Sequence, residues 1–165
     1  MLYALDADII IPVQKSGQMD AFKSVGRLPV LVTDVVWEEV IGGTDARQRE
    51  NADLCEVLQA IAGGPTELLP ETPEALDFVR LDAPRYGPGE RSMIAYALHH
   101  PEVTLVLNDK LAIHRAIEEL RGERVLSLHG WLRAMESHGL QRKIAEAVSA
   151  AFCRSHQPHR PPLWW

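Results

Sequence analysis

Cysteine, long apolar runs and basic charge are all in short supply in this 165-residue chain, and each shortage removes a class of explanation. The two cysteines, Cys55 and Cys153, lie far apart and in no metal-binding or redox spacing. They read as buried free thiols rather than as a disulfide framework or a zinc site. No apolar stretch approaches the roughly 18 residues needed to span a bilayer. The opening Met1-Leu2-Tyr3-Ala4-Leu5-Asp6 lacks a basic leader and meets acids at once, so the expectation is a soluble cytoplasmic protein with no membrane partner. Internal repeats and domain linkers are also lacking. What is present is an ordinary globular mixture, 46% hydrophobic and 24% charged, at a length that suits one compact domain.

The formal charge of −6 argues against a simple basic coat for nucleic acid, but the charge is unevenly spread. Residues 1–109 carry 18 Asp/Glu against 8 Lys/Arg, and residues 110–165 carry 9 Lys/Arg against 5 Asp/Glu. An acidic body is followed by a basic C-terminal third. One reading of the excess acids is a solvated surface; the other is a set of carboxylates converging on a cation.

Apolar patterning predicts strands alternating with helices. Leu2–Leu5 reads as a first buried strand stopped by Asp6, Pro29–Val32 as a second, Val103–Leu107 as the most strand-like segment and Arg124–Leu128 as another, with Thr66–Leu69 as a candidate edge strand. Pro12 restricts Ile9–Val13 to a helix opening or a turn, and Gln18–Val25 reads as the end of a helix. Further helices are expected over Asp34–Ile41 with Thr33 as N-cap, Asp45–Ala62, Pro73–Val79, Glu90–His99 after a Tyr86–Gly89 turn, a segment beginning after Asp109, Trp131–Ser137 and Leu140–Phe152. The fold class that follows is α/β: βαβ units around a mostly parallel sheet covered on both faces, in residues 1–154, with 155–165 as a Pro/Trp-containing tail.

Ligands of such sheets sit outside the carboxyl ends of the strands, so the residues just after each strand carry the functional question. Asp6 and Asp8 follow the first strand, and Asp109 follows the Val103–Leu107 strand. Glu39 falls one helical turn after Val35 and Val36 on a helix facing the sheet, with Glu38 nearer the flank, and Glu90 opens its helix in line with Ile94 and Ala97. Carboxylates gathered this way repel, and proton uptake or a bound cation must offset the crowding. Oxygen-only donors favour Mg²⁺ or Mn²⁺ over zinc, and such ions suit phosphodiester hydrolysis. Any one acid alone is more simply a turn or helix cap.

Four stretches then carry a family resemblance: Leu5-Asp6-Ala7-Asp8-Ile9-Ile10-Ile11, Val36-Trp37-Glu38-Glu39-Val40, Gly87-Pro88-Gly89-Glu90-Arg91-Ser92-Met93-Ile94-Ala95-Tyr96-Ala97-Leu98 and Leu105-Val106-Leu107-Asn108-Asp109-Lys110. In order and spacing they resemble the successive motifs of PIN-domain nucleases, over about residues 1–135. The resemblance implies a three-layer α/β/α sandwich and Mg²⁺- or Mn²⁺-dependent ribonuclease activity, with Asp6, Glu39, Glu90 and Asp109 as catalytic metal-site acids and Asp8 as an additional candidate ligand. It also implies the context of a toxin–antitoxin pair, with an RNA substrate, a cognate antitoxin and a homodimer as partners. Two departures stand out: Ser92 where many relatives carry a second acid, and Leu107-Asn108 before the last aspartate.

Thr33, Asn108, Lys110 and Arg115 are candidates for contacts to a substrate backbone. Lys110 is equally a surface lysine opening a helix, and Arg115 equally an ion-pair partner of Glu118 or Glu119. Two other functions stay open. The Asp6-Ala7-Asp8 pair superficially fits a haloacid-dehalogenase-type phosphatase with Asp6 as nucleophile. The acidic total and the Leu163-Trp164-Trp165 ending fit a catalytically weak PIN-like module that binds nucleic acid or protein.

Overall fold

The computed structural model describes residues 1–42, 51–81, 86–122 and 124–155. Strand β1 (Leu2–Leu5) leads into α1 (Ala7–Lys15) and α2 (Met19–Val25); β2 (Val30–Leu31) is followed by α3 (Asp34–Ile41), α4 (Ala52–Ala62), α5 (Pro73–Arg80) and α6 (Pro88–His99). Then come β3 (Val103–Val106), α7 (Lys110–Leu120), β4 (Val125–Leu126), α8 (Leu128–Glu136) and α9 (Arg142–Ser155). The four strands form one sheet in the order β2-β1-β3-β4, and every pairing is parallel.

Consecutive residues Tyr3, Ala4 and Leu5 are buried, as are Val103 through Val106. Successive side chains of a strand point to opposite faces, so both faces of the sheet are covered. Ile9, Ile10, Phe22, Leu58, Ile94 and Trp131 are among the large side chains closed off from solvent, each contributing about 1.5–3 kcal/mol by burial. Phe22 stacks on Trp131 with ring centroids 6.5 Å apart.

Several local expectations change. Helix α1 runs through Pro12 rather than ending there. The ring leaves the carbonyl of Asp8 without its helical donor, but Asp8 is exposed and water reaches it, while Ile9, Ile10, Pro12 and Val13 are buried. Helix α6 begins at Pro88, two residues earlier than expected, with Gly87 as N-cap and Pro88 in the first turn, where a missing N–H costs nothing. Thr66 makes only an isolated parallel bridge to Thr33. Beyond it β2 offers no more backbone, because Thr33 has already turned to cap α3, and the Asp34 carboxylate receives the N–H of Leu68 instead (3.4 Å). Leu128 opens α8 instead of closing β4, because Ser127 accepts a capping bond from the Gly130 N–H at 3.2 Å.

The N-terminal part of the long helix expected over Asp45–Ala62, up to residue 50, lies outside the described residues, as do residues 156–165 of the tail with its tryptophans and His156 and His159. Ser155 is the last residue of α9. Cys55 and Cys153 are free and half-buried. No described helix is long and apolar enough to cross a membrane.

Candidate functional site

The strand order fixes where a ligand can be received. From β1 the chain moves outward to β2, then returns past β1 to β3 and outward again to β4, so the topology reverses between β1 and β3. Leu5 pairs with Val106, which makes the carboxyl ends of these strands level. Asp6 follows one end immediately, and Asp109 stands three residues beyond the other.

Asp6 occupies the N-cap position of α1 with extended backbone, but its side chain makes no capping bond. Its carboxyl is pushed up to about 7, first by burial, then by the negative charge of Asp8 and more weakly by Glu39 and Glu90, while a hydrogen bond from the Ala7 N–H acts in the opposite direction. Asp8 itself is exposed.

Glu39 lies on the third helix and reaches the start of the sixth. Its Oε1 accepts the backbone N–H of Gly89 at 3.0 Å. Gly87 has no side chain with which to cap α6, so a carboxylate from another helix fills that role at the positive end of the helix dipole. The close approach depends on glycine: a Cβ on Gly89 would stand 2.5 Å from Glu39 Oε2 and 3.0 Å from Val36 Cγ2.

Glu90, in the same first turn, is the most enclosed of the helix acids, its side chain 13% exposed. Its Oε1 is buried without a hydrogen-bond partner, and its Oε2 lies 3.8 Å from Arg115 Nη1. Burial raises its pKa, and the charge of Asp109 adds to that; a backbone bond at Gly87 and the Arg115 guanidinium oppose it. Asp109 is exposed and caps α7, accepting the N–H of Ala112 at 2.9 Å through Oδ1.

The four acids and Asp8 therefore share one electrostatic neighbourhood, linked through Asp6 and Glu90. They are not closed into a cage: among the described residues no three His, Cys, Asp or Glu side chains stand together as a metal-binding group. The donor set nonetheless suits an oxygen-preferring divalent ion. The buried, unpartnered Glu90 Oε1 and the crowded Asp6 carboxyl are the groups that such an ion would relieve.

The candidate substrate contacts divide in two. Thr33 is fully buried; it accepts the Val36 N–H at 3.4 Å and meets Ser92 Oγ at 2.7 Å. Ser92 donates to the carbonyl of Gly89 at 2.7 Å, so the hydroxyl between them is donated by Thr33. This buried pair ties α3 to α6 and occupies the position at which many PIN-domain relatives carry an acid. Asn108 accepts the Leu128 N–H at 3.0 Å through Oδ1, and its buried Nδ2 has no partner. Lys110 is exposed at the first position of α7.

Arg115 pairs with Glu90 rather than with its own helix neighbours Glu118 or Glu119. Glu119 is engaged elsewhere, with Arg80 at 3.3 Å and the Tyr86 hydroxyl at 3.2 Å, and the Arg115 guanidinium lies over the Tyr86 ring at 5.3 Å. Sequence reasoning missed Gly89, Tyr86 and Glu119 as the framework of the site. The dipeptide Pro88-Gly89 at the opening of an apolar helix was the available signal for the first of these.

Outside Glu39, an open groove of 470 Å³ is lined by Asp34, Val35, Glu38, Glu39 and Pro88. No protein-family model, no curated protein and no solved structure matches this chain.

Proposed function

We propose that the chain is a PIN-like, metal-dependent nuclease of three-layer α/β/α build, acting as an endoribonuclease on RNA phosphodiester bonds. The observation that carries this reading is the placement of Asp6, buried and surrounded by like charge, at the topological switch point of a parallel sheet. A carboxyl held in that state is poor as a surface group and well suited to exchange its proton for a cation.

Asp6 and Asp109 would hold the ion centrally, with Glu39 and Glu90 binding directly or through water and Asp8 at the exposed margin. Mg²⁺ or Mn²⁺ supplies an acidified water and stabilises charge on the attacked phosphate. The chain's own part is positioning. The amide of Gly89 fixes Glu39, the α7 N-terminus fixes Asp109, and Lys110 and Arg115 present positive charge toward a phosphate backbone. The basic C-terminal third steers the polyanion to an otherwise acidic molecule. Thr33 and Asn108, with their polar atoms committed inside, support the elements that carry these groups. The toxin of a toxin–antitoxin pair, with its antitoxin and a homodimeric assembly in the cytoplasm, is the biological setting that fits this activity.

A second reading, a PIN-like binding module of weak catalysis, is favoured by the open arrangement of the acids and by Arg115 already offsetting Glu90. A phosphatase with Asp6 as nucleophile fits less well, since a carboxyl protonated up to about 7 is a weak nucleophile at neutral pH.

The test is cleavage of a panel of RNAs, with matched single-stranded DNA, by wild type, Asp6→Asn and Asp109→Asn in Mn²⁺. Loss of cleavage in both variants, with fold retained, supports the nuclease. Equal cleavage by all three rejects the site, and trapping of a phosphorylated Asp6 would revive the phosphatase.

A further inference from the structure

Arg115 is set more firmly than a substrate-binding arginine needs to be. Its side chain is 18% exposed, its guanidinium lies over the Tyr86 ring, and Tyr86 is held by its hydroxyl to Glu119, which is itself paired with Arg80. The guanidinium is thus braced from behind, and its one acidic neighbour is Glu90 at 3.8 Å. An arginine held this way is a permanent positive charge that cannot be titrated away.

We propose that Arg115 is a positioning residue that serves as a built-in counter-cation of Glu90, so that the site takes a single divalent ion and the guanidinium stands where a second would. The inference rests on the cation-site reading above. Among the described acids, Asp8 is exposed and Glu39 spends an oxygen on the Gly89 amide. Asp6, Glu90 and Asp109 remain as the inner set, with three negative charges when ionised. One divalent ion offsets two of these and Arg115 the third. A second divalent ion would bring excess positive charge against a guanidinium that cannot leave.

Mn²⁺ alone is the probe, titrated into the full chain and followed by calorimetry and by electron paramagnetic resonance, with no RNA present. Wild type is expected to bind one Mn²⁺ per chain, Asp6→Asn none, and Arg115→Lys, which keeps the charge, one. Arg115→Gln is expected to bind two, with the short Mn–Mn separation appearing in the resonance spectrum. A merely structural arginine would not produce a second ion on loss of its charge, nor be rescued by lysine. Two ions in wild type, or one in both wild type and Arg115→Gln, overturns the proposal while leaving the cation site standing. Absence of Mn²⁺ binding in wild type overturns the cation site and this inference with it.

Discussion

The Glu39 carboxylate caps a helix to which it does not belong: its Oε1 receives the Gly89 N–H at 3.0 Å, joining the third helix to the first turn of the sixth. Gly89→Ala tests what that contact does. Alanine is favoured over glycine within a helix by about 0.5–1 kcal/mol, which offsets part of the local crowding. Its methyl group requires the Glu39 carboxylate to leave its position, since Oε2 would lie 2.5 Å from the new carbon. The expected outcome is a nearly unchanged urea midpoint with an approximately tenfold loss of Mn²⁺-dependent cleavage, about 1.4 kcal/mol of lost transition-state stabilisation. Cleavage at the wild-type rate would place Glu39 outside the chemistry.

Asp6 makes stability depend on pH. The folded chain holds this proton up to about 7, against an ordinary value of 3.8. Between those values the native state binds more protons than the unfolded state, so stability falls as pH rises. In EDTA, the urea midpoint should decline between about pH 5 and about pH 8, Asp6→Asn should flatten the decline, and added Mg²⁺ should raise the midpoint at the alkaline end. A wild-type profile that is flat, or that rises with pH, would contradict the burial of this group.

Asp109 has two roles that substitution can separate. Asparagine caps helices as well as aspartate does, so Asp109→Asn should keep the bond to Ala112 and full stability while losing cleavage. Asp109→Ala should lose cleavage and about 1 kcal/mol of stability as well. Equal stability of the two variants in urea titration would show the cap to be energetically silent.

The Thr33–Ser92 pair is expected to act on stability. Thr33→Val keeps the shape but removes a buried donor to Ser92 and the acceptor for Val36, at a cost of about 1–3 kcal/mol in chemical unfolding. Thr33→Ser should stay close to wild type, since the hydroxyl survives.

Helix α5 buries none of its side chains and is held largely by polar ties: Asp77 to His99 at 2.7 Å, Glu74 to His100 at 2.9 Å and Arg80 to Glu119 at 3.3 Å. Asp77→Asn combined with Glu74→Gln should speed amide exchange across residues 73–80 while leaving the sheet protected. Uniform loss of protection would mean that this helix is part of the main cooperative unit.

Much of this architecture is legible in the chain because the signals are local. Thr33 followed by Asp34–Ile41 gives both a cap and an apolar stripe, and the run Val103–Val106 is short, branched and bounded, as a doubly covered strand should be. Pro12 misleads because its cost depends on whether water reaches the Asp8 carbonyl, a matter of tertiary exposure. Thr66–Leu69 misleads because a strand needs a partner, and β2 ends as Thr33 turns into α3. The acids after strands are visible; their partners are not. Glu39 bonds to a main-chain amide, which has no side-chain signature, and Arg115 passes over two glutamates of its own helix for one on α6, because Tyr86 and Arg80 have already claimed Glu119.

Because β3 adds to β1 only after β2 and four helices have intervened, the two aspartates at the strand ends are separated by about a hundred residues of chain. During synthesis Asp6 emerges early and Asp109 late, so the centre is absent from every shorter intermediate. Any hydrolytic capacity of this protein is a property that arrives at once, near the end of translation, and is lost as a whole if the β1–β3 seam opens.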